Sequence, residues 1–219
     1  MRAGQLRSPV KRRVVFDLDG TLSDPGVGIE RSLNHALVSF GYRRLAPGKV
    51  ATFIGPPLDQ VFRSLVGAVG DKRIGDLIAK YRERYADVGY AENVIYPGIT
   101  KALQTLFDDG VVLGICTSKR ADFAERILQR FGIREHFHFV SGGDMGVAKA
   151  DQLACLVRER RVDASSIMVG DRAVDIAAAK ANGLASAGVL WGFGSADELR
   201  AAAPNVLVAS PEELTEVLS

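Results

Sequence analysis

The sequence predicts an α/β fold, a doubly wound parallel sheet with an inserted all-helical segment, and three observations lead there. Short apolar runs recur along the chain and stop at acidic, glycine or hydroxyl residues, as buried parallel strands do where they hand over to loops. From about residue 97 onward these runs alternate with stretches of helical spacing, the pattern of strands joined by crossover helices. Between residues 24 and 96 the alternation stops and helical periodicity alone remains.

Taken in order, residues 1–12 form a basic tail (Arg2, Arg7, Lys11, Arg12, with Arg13 following) that lacks the apolar stretch of a secretory signal and is expected to be a solvated terminus. Val14, Val15 and Phe16 make the first strand. Asp24-Pro25 is a helix start, and Ile29, Leu33, Ala36, Leu37 and Phe40 then fall on one face before Gly41. Two more helices are predicted over 58–66 and 74–88. Further strands are predicted at 111–116, 137–140, 167–169, 185–190 and 206–208. Helical spacing separates them in Ile99, Ala102, Leu103, Leu106 and Phe107, in Phe123, Ile127 and Phe131, and in Leu153, Leu156 and Val157. The expected division is therefore a tail at 1–12, an α/β core at 13–23 and 97–219, and a helical cap at 24–96. An insertion directly after the first strand sits over the carboxyl edge of the sheet, where ligands bind in open α/β folds.

Composition narrows the function classes. With 219 residues, 47% hydrophobic and 25% charged, the chain has enough apolar material for a core plus a smaller module. Lys and Arg number 28 against 26 Asp and Glu, a net charge of only +2, which does not call for a nucleic-acid partner. No apolar run reaches the ~18 residues of a membrane span. Cys116 and Cys155, the two cysteines, lie in apolar stretches, are expected to be reduced and buried, and suit a cytoplasmic setting.

Chemistry concentrates where strands end. Asp17-Leu18-Asp19-Gly20-Thr21 follows the first strand, and its two carboxylates reach the same side only if the backbone turns sharply, which Gly20 permits. Gly170-Asp171-Arg172-Ala173-Val174-Asp175 follows another strand, with Asp171 placed to cap the Ala-rich helix behind it and Asp175 one turn on. Acidic residues gathered at the ends of two strands of one parallel sheet repel one another unless a cation sits among them, and a hard, oxygen-seeking ion such as Mg²⁺ meets that need. Thr117 and Ser118 offer hydroxyl and backbone N–H groups just before a helix, where an anion is favoured. Lys149, between a strand and the next helix, supplies an ammonium group, and Lys119 is a second candidate. In the helical segment, Ile54-Gly55-Pro56-Pro57-Leu58 carries two prolines that restrict its shape and is expected to point inward. Arg43, Arg44, Arg82 and Arg84 are candidates to meet an anionic leaving group, whereas His35, His136 and His138 read as structural. A phospho-receiver signalling domain gathers similar groups, but the pair Asp17/Asp19 and the helical insertion favour an enzyme.

The segment Val15-Phe16-Asp17-Leu18-Asp19-Gly20-Thr21-Leu22 resembles the first signature of the haloacid dehalogenase superfamily, and Thr117, Lys149 and Gly170-Asp171 with Asp175 match the other three in the same order. The helical insertion resembles that superfamily's type 1 cap, and the whole is similar to phosphoglycolate phosphatases and 5′-nucleotidase-like relatives. Where the phosphoglycolate group often carries Lys-Pro, this chain has Lys149-Ala150. The resemblance implies a Mg²⁺-dependent phosphatase of small phosphorylated metabolites. Asp17 would be the covalent nucleophile forming an aspartyl-phosphate, and Asp19 the acid and base. Asp17, Asp19 and Asp171 would hold the metal, with Asp175 beside them, while Thr117, Ser118 and Lys149 would bind phosphate and Ile54, Gly55, Pro56 and Arg172 would lie toward the substrate. A phosphosugar mutase also uses an acid two residues after the nucleophile and is the nearest rival.

Overall fold

The computed structural model describes residues 12–46, 48–143 and 146–218. Arg2, Arg7 and Lys11 of the basic tail lie outside the described residues. Six parallel strands form one sheet in the order β5-β4-β1-β6-β7-β8. They are β1 (Arg13–Phe16), β4 (Val112–Thr117), β5 (Phe137–Gly142), β6 (Ile167–Gly170), β7 (Ala185–Val189) and β8 (Val206–Val208). Two further strands among the described residues, β2 (Ser23–Asp24) and β3 (Val94–Ile95), pair antiparallel in a ribbon of their own.

Both faces of the sheet are covered, which is why its strands read as continuous apolar runs. Val14 and Phe16 point into one cluster, with Leu103 and Leu106 of α4 (Ile99–Asp108), Ile127 of α5 (Ala121–Arg130) and Leu214 of α9 (Glu213–Leu218). Val15 points the other way, to Leu153 and Leu156 of α6 (Lys149–Arg158) and Ala178 of α7 (Ala173–Ala181). One residue of shift would exchange the two faces, so the pattern fixes the register. The chain winds outward from β1 to β4 and β5, then returns to β6 and runs out the other side, which makes the carboxyl end of β1 the switch point.

Between β2 and β3 the chain forms α1 (Gly26–Ser39), α2 (Leu58–Val66) and α3 (Asp71–Asp87), packed around Leu33, Leu37, Phe62, Leu77 and Tyr81. The β2–β3 ribbon joins the two ends of this helical block, pairing Ser23 with Ile95 and Asp24 with Val94. Sequence periodicity missed that ribbon because two residues are too few to show a period. It also missed α8 (Ala196–Ala202) and α9, which are one to two turns long. Cys116 is buried, but Cys155 is only half-buried, because Leu153 and Leu156 take the inner face of α6; both cysteines are free. No helix among the described residues is long and apolar enough to cross a membrane.

Candidate active site

Three neighbouring strands deliver the site. Asp17 follows β1 and continues its ladder, donating its N–H to Val169 O at 2.9 Å. Thr117 ends β4, and Asp171 follows β6. The chain after Asp17 doubles back in a tight turn, with Leu22 and Ser23 donating their N–H groups to Leu18 O. Gly20 has φ +85°, and a side chain there would run into the Asp171 carboxylate, so glycine is needed on both counts.

The carboxylate oxygens of Asp17, Asp171 and Asp175 lie within 4.8 Å of one another, all buried. Asp171 accepts from Thr21 Oγ1 at 3.2 Å and from the Phe193 N–H at 2.8 Å. Burial, then the negative charges of Asp17 and Asp175, push its carboxyl up to about 7. The expected helix cap belongs to another pair: Arg172 stands at the N-cap of α7, and Asp175 reaches back to accept its N–H at 3.0 Å. Asp171 points instead into the acidic cluster, since the loop turns before the helix begins.

Each lysine has a defined place. Lys149, the first residue of α6, is buried with its Nζ 2.5 Å from Asp175 Oδ1 and 3.0 Å from Asp17 Oδ1. Lys119 Nζ lies 2.7 Å from Asp19 Oδ2 and donates to the Tyr85 hydroxyl at 2.7 Å. Burial opposes charge on both ammonium groups, yet the carboxylates beside them hold their pKa values above the ordinary lysine value. Burial also raises the Asp19 carboxyl, against the pull of Lys119, which suits a proton donor. With all four carboxyls ionised, Asp17, Asp19, Asp171 and Asp175 outnumber the two ammonium groups by two charges, which is why burial and mutual repulsion raise Asp19, Asp171 and Asp175. A hard divalent cation with oxygen ligands fits that surplus and donor set.

A cavity of about 140 Å³ opens over these groups. Its floor is the sheet edge, with Asp17, Asp19, Thr117, Ser118, Lys149 and Asp171, and its roof is the helical block. Ile54, Gly55, Pro56 and Leu58 line it, so the proline loop does face inward. Rings of Phe62, Tyr81 and Tyr85 in the roof run on to Phe123 of α5 in the core, with Tyr81 and Tyr85 stacked at 5.4 Å and Tyr85 edge-on to Phe123 at 5.1 Å. Arg82 and Arg172 line the cavity, as does Arg120, which the sequence reading did not single out, while Arg43 and Arg44 are exposed elsewhere and Arg84 is held by Glu92. His136 is buried between Ile133 O and Gln104, a structural place.

Tyr85, Phe193 and Glu198 escaped the sequence reading. The i, i+4 pair Tyr81/Tyr85 was legible as one helix face but not as a wall of the site. Ser195-x-x-Glu198 carries a capping-box signal, and Ser195 Oγ does accept from the Glu198 N–H, but nothing local announces that the carboxylate also reaches Arg172.

Carboxylates, a hydroxyl and two lysines on the switch-point edge of a doubly wound sheet, under a helical roof, define an α/β enzyme of phosphoryl transfer. Residues 14–189 match the family model of haloacid dehalogenase-like hydrolases. The chain is 37% identical to a 5′-nucleotidase of Pseudomonas aeruginosa, over 100% of this chain and 99% of that protein. It is 31% identical to a phosphoglycolate phosphatase of Vibrio parahaemolyticus, over 94% and 95% respectively. The solved structure of Protein Tyrosine Kinase A from Mycobacterium tuberculosis superimposes with a TM-score of 0.80 at 35% identity, covering 94% of this chain and 97% of that one. The chain belongs to the haloacid dehalogenase-like hydrolases and is an enzyme of their phosphatase type.

Proposed function

We propose that the enzyme is a Mg²⁺-dependent phosphatase that hydrolyses a small phosphate monoester through an aspartyl-phosphate on Asp17, in the manner of the phosphoglycolate phosphatases. The observation that carries the reading is the convergence of Asp17 and Asp171 in one buried carboxylate cluster, with Asp19 two residues along and Lys149 against Asp17. Asp17, the main-chain carbonyl of Asp19 and Asp171 would hold the ion, and Asp175 stands behind them, engaged with Lys149. When bound, the cation screens the negative charge of nucleophile and phosphate from each other.

In the first displacement the Asp17 carboxylate forms a bond to phosphorus as the bond to the leaving oxygen breaks, and Asp19 gives that oxygen its proton. In the second, Asp19 takes a proton from water, the water oxygen bonds to phosphorus, and the Asp17–phosphorus bond breaks. Thr117, Ser118 and Lys149 supply donors to the non-bridging oxygens, already aimed by the end of β4 and the start of α6. The helical block, residues 24–96, serves as a cap on the core of 13–23 and 97–219, excluding water and selecting the leaving group. Both cysteines are free, which suits a reducing compartment such as the cytoplasm.

A second reading, a 5′-nucleotidase, is supported by the 37% identity to the Pseudomonas aeruginosa 5′-nucleotidase over the whole of this chain, and by a roof whose cavity lining includes Phe53, Tyr81 and Tyr85. Phosphate release over a panel of phosphorylated carboxylic acids, sugar phosphates and nucleoside monophosphates, with Mg²⁺ and with a chelator, tests both. The proposal expects release that stops on chelation, and product analysis separates hydrolysis from isomerisation. Undiminished release in chelator, or ATP-dependent phosphorylation of tyrosine without phosphate release, would overturn it.

A further inference from the structure

We infer that Arg172 is a positioning residue. It fastens the 54–58 loop of the helical block to the loop that carries Asp171, and Glu198 is its anchor. The inference rests on the phosphatase reading given above.

Arg172 sits one residue beyond Asp171 and lines the cavity, so its charge invites assignment as a substrate contact. Two of its guanidinium nitrogens, however, already hold protein groups on opposite sides of the cavity rim. Nε donates to Glu198 Oε1 at 2.9 Å, and Nη1 donates to the carbonyl of Ile54 at 2.8 Å, across 118 positions of sequence. The planar guanidinium can face a carboxylate and a carbonyl at once in a fixed fork, which a lysine cannot reproduce. Glu198 Oε1 also accepts the Ala173 N–H at 2.8 Å, so the anchor grips side chain and backbone at the same corner. Glu198 is itself set by the first turn of α8, where its N–H donates to Ser195 Oγ at 3.0 Å.

The receiving end is equally specific. Ile54 is buried at 2% exposure, and Gly55 after it has φ +106°, a conformation that turns the chain immediately past the bonded carbonyl. A second tie runs beside the first. The Phe193 N–H holds Asp171 Oδ2 at 2.8 Å while the Phe193 ring packs against the apolar cluster of the helical block. A side chain on Gly194 would collide with the Asp171 carbonyl, so this segment lies directly on the Asp171 backbone. Residues 193–198 therefore touch Asp171, Arg172 and the helical block together, and the seat of the 54–58 loop and the aim of Asp171 are set by one short segment.

Arg172→Gln, Glu198→Gln and the double variant test this with p-nitrophenyl phosphate as substrate and inorganic phosphate as competitor. Glu198→Gln keeps an acceptor for the Ala173 N–H and loses only the charge facing Arg172. Each single variant is expected to lose about tenfold or more in kcat/KM, mostly through KM, as the charge-assisted hydrogen bond is removed in Arg172→Gln and stripped of its charge in Glu198→Gln. Inhibition by inorganic phosphate should stay within about twofold, because the phosphate donors are untouched. Amide hydrogen exchange over 53–58 should speed up by about tenfold or more in both variants while β4 and β6 stay protected. The double variant should be no worse than either single one, the mark of residues acting as a unit. Unchanged exchange over 53–58 overturns the strut whatever the activity shows. Phosphate inhibition that weakens in step with KM makes Arg172 a direct substrate contact and overturns it too, and losses that add in the double variant overturn the anchoring by Glu198. If the wild-type protein released no phosphate, the phosphatase reading would fail, while the exchange measurement would still decide the strut.

Discussion

The sheet edge and the helical roof face each other across one cavity but are built on different principles. At the edge, charged groups are buried and nearly every one is engaged: Lys149 with Asp17 and Asp175, Lys119 with Asp19, Asp171 with Thr21 and the Phe193 amide. In the roof, the groups facing the cavity are chiefly apolar or aromatic, with Arg82 the charged exception. Buried charges tolerate little change, because removing one partner strands the other. An apolar wall tolerates substitution that conserves volume. On the proposed function, the edge carries the reaction chemistry and the roof the choice of leaving group.

That division orders the expected effects of substitution. Asp17→Asn, at the edge, should cut phosphate release by on the order of 10⁴ or more, the scale seen when a nucleophile is removed. Steady-state assays read this directly, and retained activity would place the nucleophile elsewhere. Asp19→Asn should cost about 10²–10⁴, the usual share of general acid and base assistance. The loss should shrink for substrates whose leaving group needs no proton, such as p-nitrophenyl phosphate, and a loss equal for all leaving groups would contradict the role. Tyr85→Phe removes only the roof's hydroxyl from Lys119. It should lower kcat/KM by about tenfold, the scale of a hydrogen bond to a charged group, and lower the melting temperature only slightly, because Lys119 keeps Asp19. A loss as deep as that of Asp19→Asn would make the roof part of the chemistry and erase the distinction.

The smallest effect is on stability. Asp171 titrates near 7 in the fold against 3.8 when unperturbed, so the metal-free fold prefers the protonated carboxyl. Its contribution to stability is full below about pH 4 and is lost as pH rises through about 7. In chelator, Asp171→Asn should therefore melt a few degrees above wild type at about pH 8 and level with it at about pH 4. Mg²⁺ should raise the wild-type melting temperature and leave the variant's nearly unmoved. A variant that melts below wild type at the higher pH would contradict the like-charge account.

The same contrast governs what was legible in the sequence. Asp17, Asp19, Thr117 and Asp171 could be placed because each follows a buried apolar strand, and strand ends in a doubly wound sheet meet at one edge. The three helices of the roof were visible from periodicity, and 58–66 coincides with α2. What the sequence did not disclose were pairings between distant positions. Lys119 reaches a tyrosine 34 residues away, and Arg172 a carbonyl 118 residues away. Local spacing carries no signal of such contacts, since they depend on where the roof comes to rest. The cap of α7 was misassigned to Asp171 for a related reason: Asp171 and Asp175 have the same local propensity, and only the demand of the acidic cluster decides which one turns back to the helix.

Acid-quenched turnover with intact-peptide mass spectrometry tests the central claim most directly. With substrate and Mg²⁺ present, the peptide containing Asp17 should carry a phosphoryl group that hydroxylamine removes and that is absent from Asp17→Asn. Steady phosphate release with no adduct on that peptide, together with undiminished activity of the variant, would contradict the assignment of Asp17 as the nucleophile.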